Sequence, residues 1–346
     1  MNALRTLHSG GMLDRVRDSR WRQRRLLILC YHSFALDDEH LWRPGLFMQV
    51  GLFEQRLAML QQGGYNVVSL GEGLERLRRG DLPPRSVALT FDDGTGDFYK
   101  LAYPLLKKYG FPATVYQTTF YAQRALPIFS LICSYMLWKG RDRSLAANPN
   151  IGISDAVSLS TPEARQKAVH DIIYFAATRQ LSTSQKNELA AELAGMLGID
   201  FQDLLGRRLL QVMNPQEIKE LASAGIDFQL HTHRHRTPRD RELFDRELED
   251  NLAVLTELTN SRPIHFCYPS GDYDLQFLPW LSAKGIISAA TSVAGLASPR
   301  IDPLLLPRFI DTSARTPLEF ESWLTGVGAL LSKEAVIAAL RGAMNS

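Results

Sequence analysis

The sequence predicts an α/β fold built on a parallel sheet. Three short, mostly apolar runs support this prediction, at residues 26–30, 86–91 and 228–230. The run 86–91 is rich in β-forming residues and nearly continuous in its apolar character, which is typical of a strand buried in a parallel sheet. With 346 residues and 45% hydrophobic content, the chain can bury a large core.

Two adjacent carboxylates, Asp92 and Asp93, follow the run 86–91, and Gly94 comes next. Neighbouring side chains at a strand end can point to different sides of one pocket. One carboxylate can therefore bind a metal while the other faces a substrate. Gly94 allows the chain to turn sharply with its backbone close to a ligand. The alternative interpretation is a surface turn or a helix cap.

Two histidines, His231 and His235, follow the run 228–230 and are separated by four residues. If the chain coils there, both imidazoles lie on one face and can bind one cation. Asp93 would complete a set of two histidines and one carboxylate with open coordination positions, which is typical of catalytic metal sites. His233 should point elsewhere, with a solvated loop histidine as the alternative. The basic, histidine-rich string could instead contact nucleic acid or phosphate.

The order Thr-Phe-Asp-Asp-Gly followed by His-Thr-x-x-His resembles the first two motifs of the polysaccharide deacetylases, the NodB-type domain of carbohydrate esterase family 4. Residues 266–271 lie where the third motif of this family belongs. The resemblance implies a distorted (β/α) barrel whose members hydrolyse acetamido groups or O-acetyl esters of sugars with one divalent metal. By position, it implies that Asp92 is the catalytic base and that the metal ligands are Asp93, His231 and His235.

Amide hydrolysis also needs an oxyanion partner and an acid that protonates the departing amine. The predicted oxyanion donor, besides the metal, is the backbone N–H of Tyr268. The common family pattern places the acid histidine in a C-terminal Leu-x-x-x-His string, which this sequence does not contain. The chain instead resembles the branch similar to poly-N-acetylglucosamine deacetylases, in which the acid histidine precedes the first motif. The acid role is therefore assigned to His32, which could alternatively cap the first strand.

Cys267 stands where many family members have an arginine that pairs with the base aspartate. Arg308, which belongs to a late segment similar to the last barrel strand of a subgroup, could supply the missing cation. The alternative is that Arg308 is an ordinary surface arginine.

The predicted organisation has five parts: a basic N-terminal helix, the first part of the barrel, a mostly helical insertion near the active-site mouth, the second part of the barrel and C-terminal helices, at residues 1–25, 26–125, 126–210, 211–315 and 316–346. Helix starts are predicted at Thr161-Pro162-Glu163 and at Pro215. The apolar start of the insertion could instead dip into a membrane surface, although it is too short to span one. Six arginines near Trp21 predict a solvated basic helix, with contact to anionic lipid as the alternative.

The predicted function is metal-dependent removal of N-acetyl groups from an amino sugar in cell-envelope or exopolysaccharide biosynthesis. Zinc is the predicted metal, with cobalt, nickel, manganese and iron as alternatives. A net charge of +2 predicts no general affinity for nucleic acid. The alternatives are a hydrolase of non-sugar amides or imides on the same scaffold, and a catalytically silent carbohydrate-binding module.

The predicted location is the cytoplasm, with peripheral contact to the inner face of the membrane as a variant of that prediction. No secretory signal is visible, and the three cysteines are scattered without a Cys-x-x-Cys spacing. A cytoplasmic enzyme would meet a nucleotide-linked, lipid-linked or soluble N-acetylated sugar. The sequence indicates no particular oligomeric state.

Overall fold

The computed structural model describes residues 12–124 and 126–331. Its main sheet contains strands β1 to β8, which are Leu27–Tyr31, Asn66–Val67, Ser86–Phe91, Thr114–Gln117, Asp227–Leu230, His265–Cys267, Ser288–Ala290 and Phe309–Ile310. The strand order is β7-β6-β5-β4-β3-β1-β8, and β2 pairs with the first residues of β3. Every pairing in this sheet is parallel. The predicted α/β fold with a parallel sheet is confirmed.

The sheet curves round until its two edges meet. A parallel bridge joins Ala290 at the end of β7 to Leu306, three residues before β8. The N–H of Thr291 donates to the carbonyl oxygen of Leu306 at 2.9 Å. Because this pairing is so short, the ring is a distorted barrel with irregular closure rather than a regular one.

Helices cover the outside of the barrel and form the insertion. In chain order α1 to α15 are Met12–Arg17, Arg20–Gln23, Glu39–Trp42, Val50–Gln62, Leu70–Arg79, Tyr103–Tyr109, Phe129–Lys139, Pro162–Thr178, Thr183–Met196, Phe201–Gly206, Pro215–Ser223, Arg241–Thr259, Phe277–Ala283, Pro317–Thr325 and Val327–Leu331. A π-helical segment, Phe98–Ala102, leads into α6. Short strand pairs join Ser33–Phe34 to Phe47–Met48 and Ser144–Leu145 to Val157–Ser158.

Two predicted helix starts are confirmed by their caps. The side chain of Thr161 accepts from the N–H of Ala164 at the start of α8, where Pro162 is the first helical residue. Asn214 and Glu217 form a reciprocal capping box at the start of α11. These caps satisfy N–H groups that the first helical turn leaves without partners.

Residues 126–210 pack mainly around a core of their own. In α7 the side chains of Ile132, Tyr135, Met136 and Leu137 are fully buried, and α8 and α9 cover them. Burial of each such side chain is worth about 1.5–3 kcal/mol. The apolar residues of α7 are therefore committed to protein packing, which argues against the alternative in which this segment dips into a membrane.

The two chain ends extend beyond the described residues. Of the predicted N-terminal helix 1–25, residues 1–11 lie outside them, and of the predicted C-terminal helices 316–346, residues 332–346 do. The predicted solvated basic patch is wrong at Arg22, which is fully buried and donates to the carbonyl oxygens of Leu324 and Arg25 at 2.9 and 2.8 Å. Within the described ranges, none of the helices has the length and apolar character needed to cross a membrane.

Candidate active site

The predicted functional residues collect at one edge of the barrel. His32 follows β1, Asp92 and Asp93 follow β3, and His231 and His235 follow β5. Parallel strands bring their carboxyl ends to the same edge, so residues far apart in the sequence become neighbours. All five line one cavity of about 540 Å³, a volume typical of small-ligand sites.

Asp93, His231 and His235 form a compact group of potential metal ligands. The Asp93 Oδ1 atom lies 3.3 Å from His231 Nε2 and 3.1 Å from His235 Nε2. The ring of His231 is oriented by its Nδ1 atom, which donates to the carbonyl oxygen of Cys267 at 2.9 Å and so leaves Nε2 as the free acceptor. Asp93 Oδ1 is buried and accepts no hydrogen bond within the described part of the chain. Two imidazole nitrogens and a buried carboxylate oxygen that converge in this way fit a divalent cation.

The ligand loops are irregular rather than helical. Positive φ values occur at three residues of these loops: 68° at Asp93, 60° at Thr232 and 55° at His235. Residues other than glycine adopt this left-handed backbone conformation only with strain. Gly94 also has a positive φ of 67°, and a Cβ atom there would lie 2.0 Å from Gln117 Oε1. The sequence predicts that His231 and His235 lie on one face of a coiled segment. The two imidazoles do come together, but a strained loop rather than a helical turn places them there.

A polar network on helix α12 holds the histidine loop. Glu247 is 1% exposed, and its carboxylate accepts from the N–H of Arg234 and from the side chains of Arg234 and Arg236. Asn251 accepts from the N–H of His231 at 3.0 Å. Sequence reasoning missed both residues. The signal that would have found them is a pair of polar residues four apart on the otherwise apolar face of an amphipathic helix.

His233 belongs to this supporting network. Its Nδ1 atom lies 2.8 Å from the hydroxyl oxygen of Thr119, which in turn accepts from Asn251. The carbonyl oxygen of His233 accepts from the N–H groups of Thr119 and Phe120. His233 lines the same cavity, but its ring is held by Thr119 and lies outside the ligand group, as the sequence predicts.

Asp92 is held by a buried arginine. The Arg308 guanidinium donates to both carboxylate oxygens of Asp92 at 2.7 Å, and the two side chains are 2% and 5% exposed. Burial on its own would raise the pKa of Asp92, but Arg308 holds it below its usual range, so the carboxylate is ionised. The thiols of Cys30 and Cys267 lie 3.6 and 3.5 Å from Asp92 Oδ2. Arg308 thus lies in the barrel interior and is not a surface arginine.

His32 lies on the same side of Asp92 as the cavity. Its Nε2 atom is 3.8 Å from Asp92 Oδ2, and its side chain is 22% exposed. The ring therefore lies beside this carboxylate and on the wall of the cavity. Within the described ranges the His32 ring makes no hydrogen bond to backbone, so this geometry does not support the strand-cap alternative.

Comparison with known proteins identifies the family. The family model described as polysaccharide deacetylase matches residues 79–148 and 175–287, more than half of the chain. This chain belongs to the polysaccharide deacetylase family. The resemblance recognised from the two motifs is confirmed.

Several curated relatives of this chain are named as poly-β-1,6-N-acetyl-D-glucosamine N-deacetylases. The protein from Escherichia coli K12 is 30% identical over 94 residues, which is 27% of this chain and 14% of the relative. The protein from Staphylococcus aureus MSSA476 is 40% identical over 62 residues, or 18% of this chain and 21% of the relative. The matches therefore cover only a small part of the length of either relative.

Solved structures resemble this chain over most of its length. Streptococcus pyogenes deacetylase PplD, in complex with acetate, covers 87% of this chain and 97% of its own, with 21% identity and a TM-score of 0.57. IcaB from Ammonifex degensii covers 88% and 97%, with 19% identity and a TM-score of 0.54. These similarities confirm the predicted barrel of the NodB type.

The structure corrects one predicted site residue. The N–H of Tyr268 donates to the carbonyl oxygen of Ala290 at 3.1 Å, and its hydroxyl donates to that of Leu304 at 3.0 Å. Tyr268 does not line the cavity, whereas Ser270 and Gly271 do. Because a sheet hydrogen bond already uses its N–H, Tyr268 cannot act as the oxyanion donor in this arrangement.

Proposed function

We propose that this protein is a metal-dependent hydrolase that removes N-acetyl groups from an amino sugar in cell-envelope or exopolysaccharide biosynthesis. The observation that carries the proposal is the convergence of Asp93, His231 and His235 beside an ionised Asp92 and a partly exposed His32 in one cavity. This arrangement offers a cation site, a base and an acid within the space of one small substrate.

Asp93, His231 and His235 would hold one divalent cation. A cation bound there would polarise an amide carbonyl and lower the pKa of a nearby water. We propose zinc as the metal because two imidazoles and one carboxylate are a common zinc set, with cobalt, nickel, manganese and iron as alternatives.

The residues of the chain supply the proton transfers. Asp92 accepts a proton from the attacking water, and Arg308 keeps this carboxylate charged and fixed in orientation. His32 donates a proton to the departing amine, since an amine leaves as a neutral molecule far more readily than as an anion. The N–H of Ser270 takes the oxyanion role that was predicted for Tyr268. Ser270 lines the cavity, and the N–H of the neighbouring Gly271 already donates to the carbonyl oxygen of Tyr268.

The substrate class is proposed from the relatives. Curated relatives are named for poly-β-1,6-N-acetyl-D-glucosamine, and the structure of PplD contains acetate, the product of deacetylation. We propose a cytoplasmic location on the sequence evidence, and the three buried, unpaired thiols are compatible with a reducing compartment. A cytoplasmic enzyme would act on a nucleotide-linked, lipid-linked or soluble sugar.

The test is acetate release by metal-reconstituted protein from N-acetylated monosaccharides, nucleotide sugars and short β-linked oligomers. Asp92→Asn should retain bound metal and lose acetate release, whereas Asp93→Ala should lose both. Asp227→Asn is the matched control, because this carboxylate lies at the opposite end of β5. Stoichiometric metal without acetate release from any substrate would favour the non-sugar amide hydrolase or the silent binding module.

A further inference from the structure

A second cavity of about 410 Å³ lies on the insertion side of the catalytic cavity. It is lined by residues of the α3 region, α7 and α8, namely Trp42, Arg43, Ser134, Trp138, Arg165 and Gln166. Arg43 lines both cavities. The two cavities therefore adjoin at this exposed residue.

The arginines that line the two cavities fall into two kinds. Arg308 and Arg234 are paired with carboxylates, Asp92 at 2.7 Å and Glu247 at 3.1 Å. Arg43 and Arg165 make no ion pair with any residue in the described ranges 12–124 and 126–331. Arg165 is partly buried and donates through Nη1 to the carbonyl oxygen of Leu159 at 2.5 Å, which fixes the guanidinium without neutralising it.

Two tryptophans give the second cavity rigid aromatic walls. Both pack on Tyr135, with ring centroids 5.4 Å apart for Trp42 and 5.9 Å for Trp138. Tyr135 is itself buried and donates its hydroxyl to Asp38. The guanidinium of Arg43 lies 4.6 Å from the centre of the Trp42 ring. Uncompensated cations beside fixed aromatic surfaces are the features that recognise an anionic ligand with a planar or apolar portion.

We infer that the second cavity binds a phosphate or diphosphate group esterified to the amino sugar whose acetamido group occupies the catalytic cavity. The inference rests on the proposed function and specifies its substrate class. Arg43 and Arg165 would bind the phosphate oxygens, and the tryptophans would contact the group beyond the phosphate. A nucleoside and an isoprenoid lipid are the two sources of such a phosphate ester, and both would place a planar or apolar group against these rings.

The test compares kcat/KM for acetate release among substrates that differ in the group attached to N-acetylglucosamine. The probes are N-acetylglucosamine, its 1-phosphate, its uridine diphosphate ester, a short-chain isoprenyl diphosphate ester and a neutral β-linked trimer. The inference requires that kcat/KM for at least one phosphate-bearing probe exceeds that for the neutral probes by about tenfold or more, since charge-assisted hydrogen bonds add affinity of that order. The preferred ester identifies the source.

Substitution of the two unpaired arginines tests whether the second cavity is the source of the preference for phosphate-bearing probes. Arg43→Gln and Arg165→Gln should each reduce the preference for phosphate-bearing over neutral probes by about tenfold. The matched control is Arg141→Gln, because Arg141 packs on Trp138 at 4.5 Å but does not line the cavity. The preference of Arg141→Gln for phosphate-bearing over neutral probes should equal that of the wild type. Equal turnover of neutral and phosphate-bearing probes by the wild type, or an unchanged preference in both variants, would overturn the inference.

Binding measurements distinguish a failure of this inference from a failure of the proposed function. Metal-loaded Asp92→Asn protein should bind the 1-phosphate more tightly than the neutral sugar by calorimetry, and Arg165→Gln in that background should abolish the difference. Absence of acetate release from every probe would defeat the proposed function. Acetate release together with equal binding of charged and neutral sugars would defeat only the inference about phosphate.

Discussion

Arg308→Met tests whether the buried pair organises the catalytic edge of the barrel. Asp92 and Arg308 share two contacts of 2.7 Å, with side chains 5% and 2% exposed. Removal of one partner from a buried ion pair costs about 3–5 kcal/mol, because the other charge stays buried without compensation. Arg308 also donates to the carbonyl oxygen of Thr291 at 2.9 Å, and that acceptor would lose its donor. We therefore expect a loss in the upper half of that range.

The measurement is the free energy of unfolding from urea denaturation, for Arg308→Met, Asp92→Asn and the double variant. The double variant should recover about half of the loss seen in Arg308→Met, because a neutral amide replaces the stranded carboxylate. If the losses of the two single variants sum to the loss of the double variant within about 0.5 kcal/mol, the two residues are energetically independent and the reasoning is refuted.

A second buried pair provides the control. Arg56 Nε lies 3.0 Å from Asp311 Oδ2, both side chains are fully buried, and neither lines the catalytic cavity. Arg56→Met should lose comparable stability but retain acetate release at temperatures where it remains folded. Arg308→Met should lose acetate release under the same conditions. Loss of activity in both folded variants would show that activity follows stability rather than the state of Asp92.

Three further predictions follow from the structure. His32→Ala should retain bound metal and lower kcat for acetate release about 10²- to 10⁴-fold, the usual contribution of a general acid, and wild-type turnover would remove His32 from that role. Gly94→Ala should destabilise the protein in urea denaturation and lower metal occupancy, because its φ is 67° and the new Cβ atom would clash with Gln117, whereas Gly51→Ala, in open space, should do neither. Burial raises the pKa of Asp97 from 3.8 to about 7, so the folded state holds this proton more tightly than the unfolded state and stability should fall as pH rises between those values. Asp97→Asn should flatten that part of the profile of unfolding free energy against pH, and an unchanged profile would contradict the assignment.

The parts of the site that could be predicted depend on local rules. Asp92, Asp93 and His231 come directly after buried strands, and parallel strands deliver their carboxyl ends to one edge. Once the runs at 86–91 and 228–230 are recognised as strands, the approach of these side chains follows from topology. The barrel itself was implied by family resemblance, because short apolar runs do not specify how a sheet closes.

The parts that could not be predicted depend on contacts between distant segments. The sequence predicts the backbone N–H of Tyr268 as an oxyanion donor, yet this N–H is used by the pairing of β6 with β7, which the sequence does not reveal. Glu247 and Asn251 anchor the histidine loop from α12, and their role appears only when that helix is placed against β5. Such partners are determined by packing, so their residue types alone carry little information.

Cys267 and Arg308 show why position in a motif is an incomplete guide to electrostatics. The cysteine is small and buried, and its sulfur lies 3.1 Å from Arg308 Nη2, so the guanidinium passes beside it to reach Asp92. An arginine side chain at position 267 would compete for that space. What a buried carboxylate requires is a cation within bidentate distance, and the interior of a barrel allows several strands to provide it. The positive charge expected from β6 is therefore supplied by the residue before β8, and the field at Asp92 is retained although the motif residue is different.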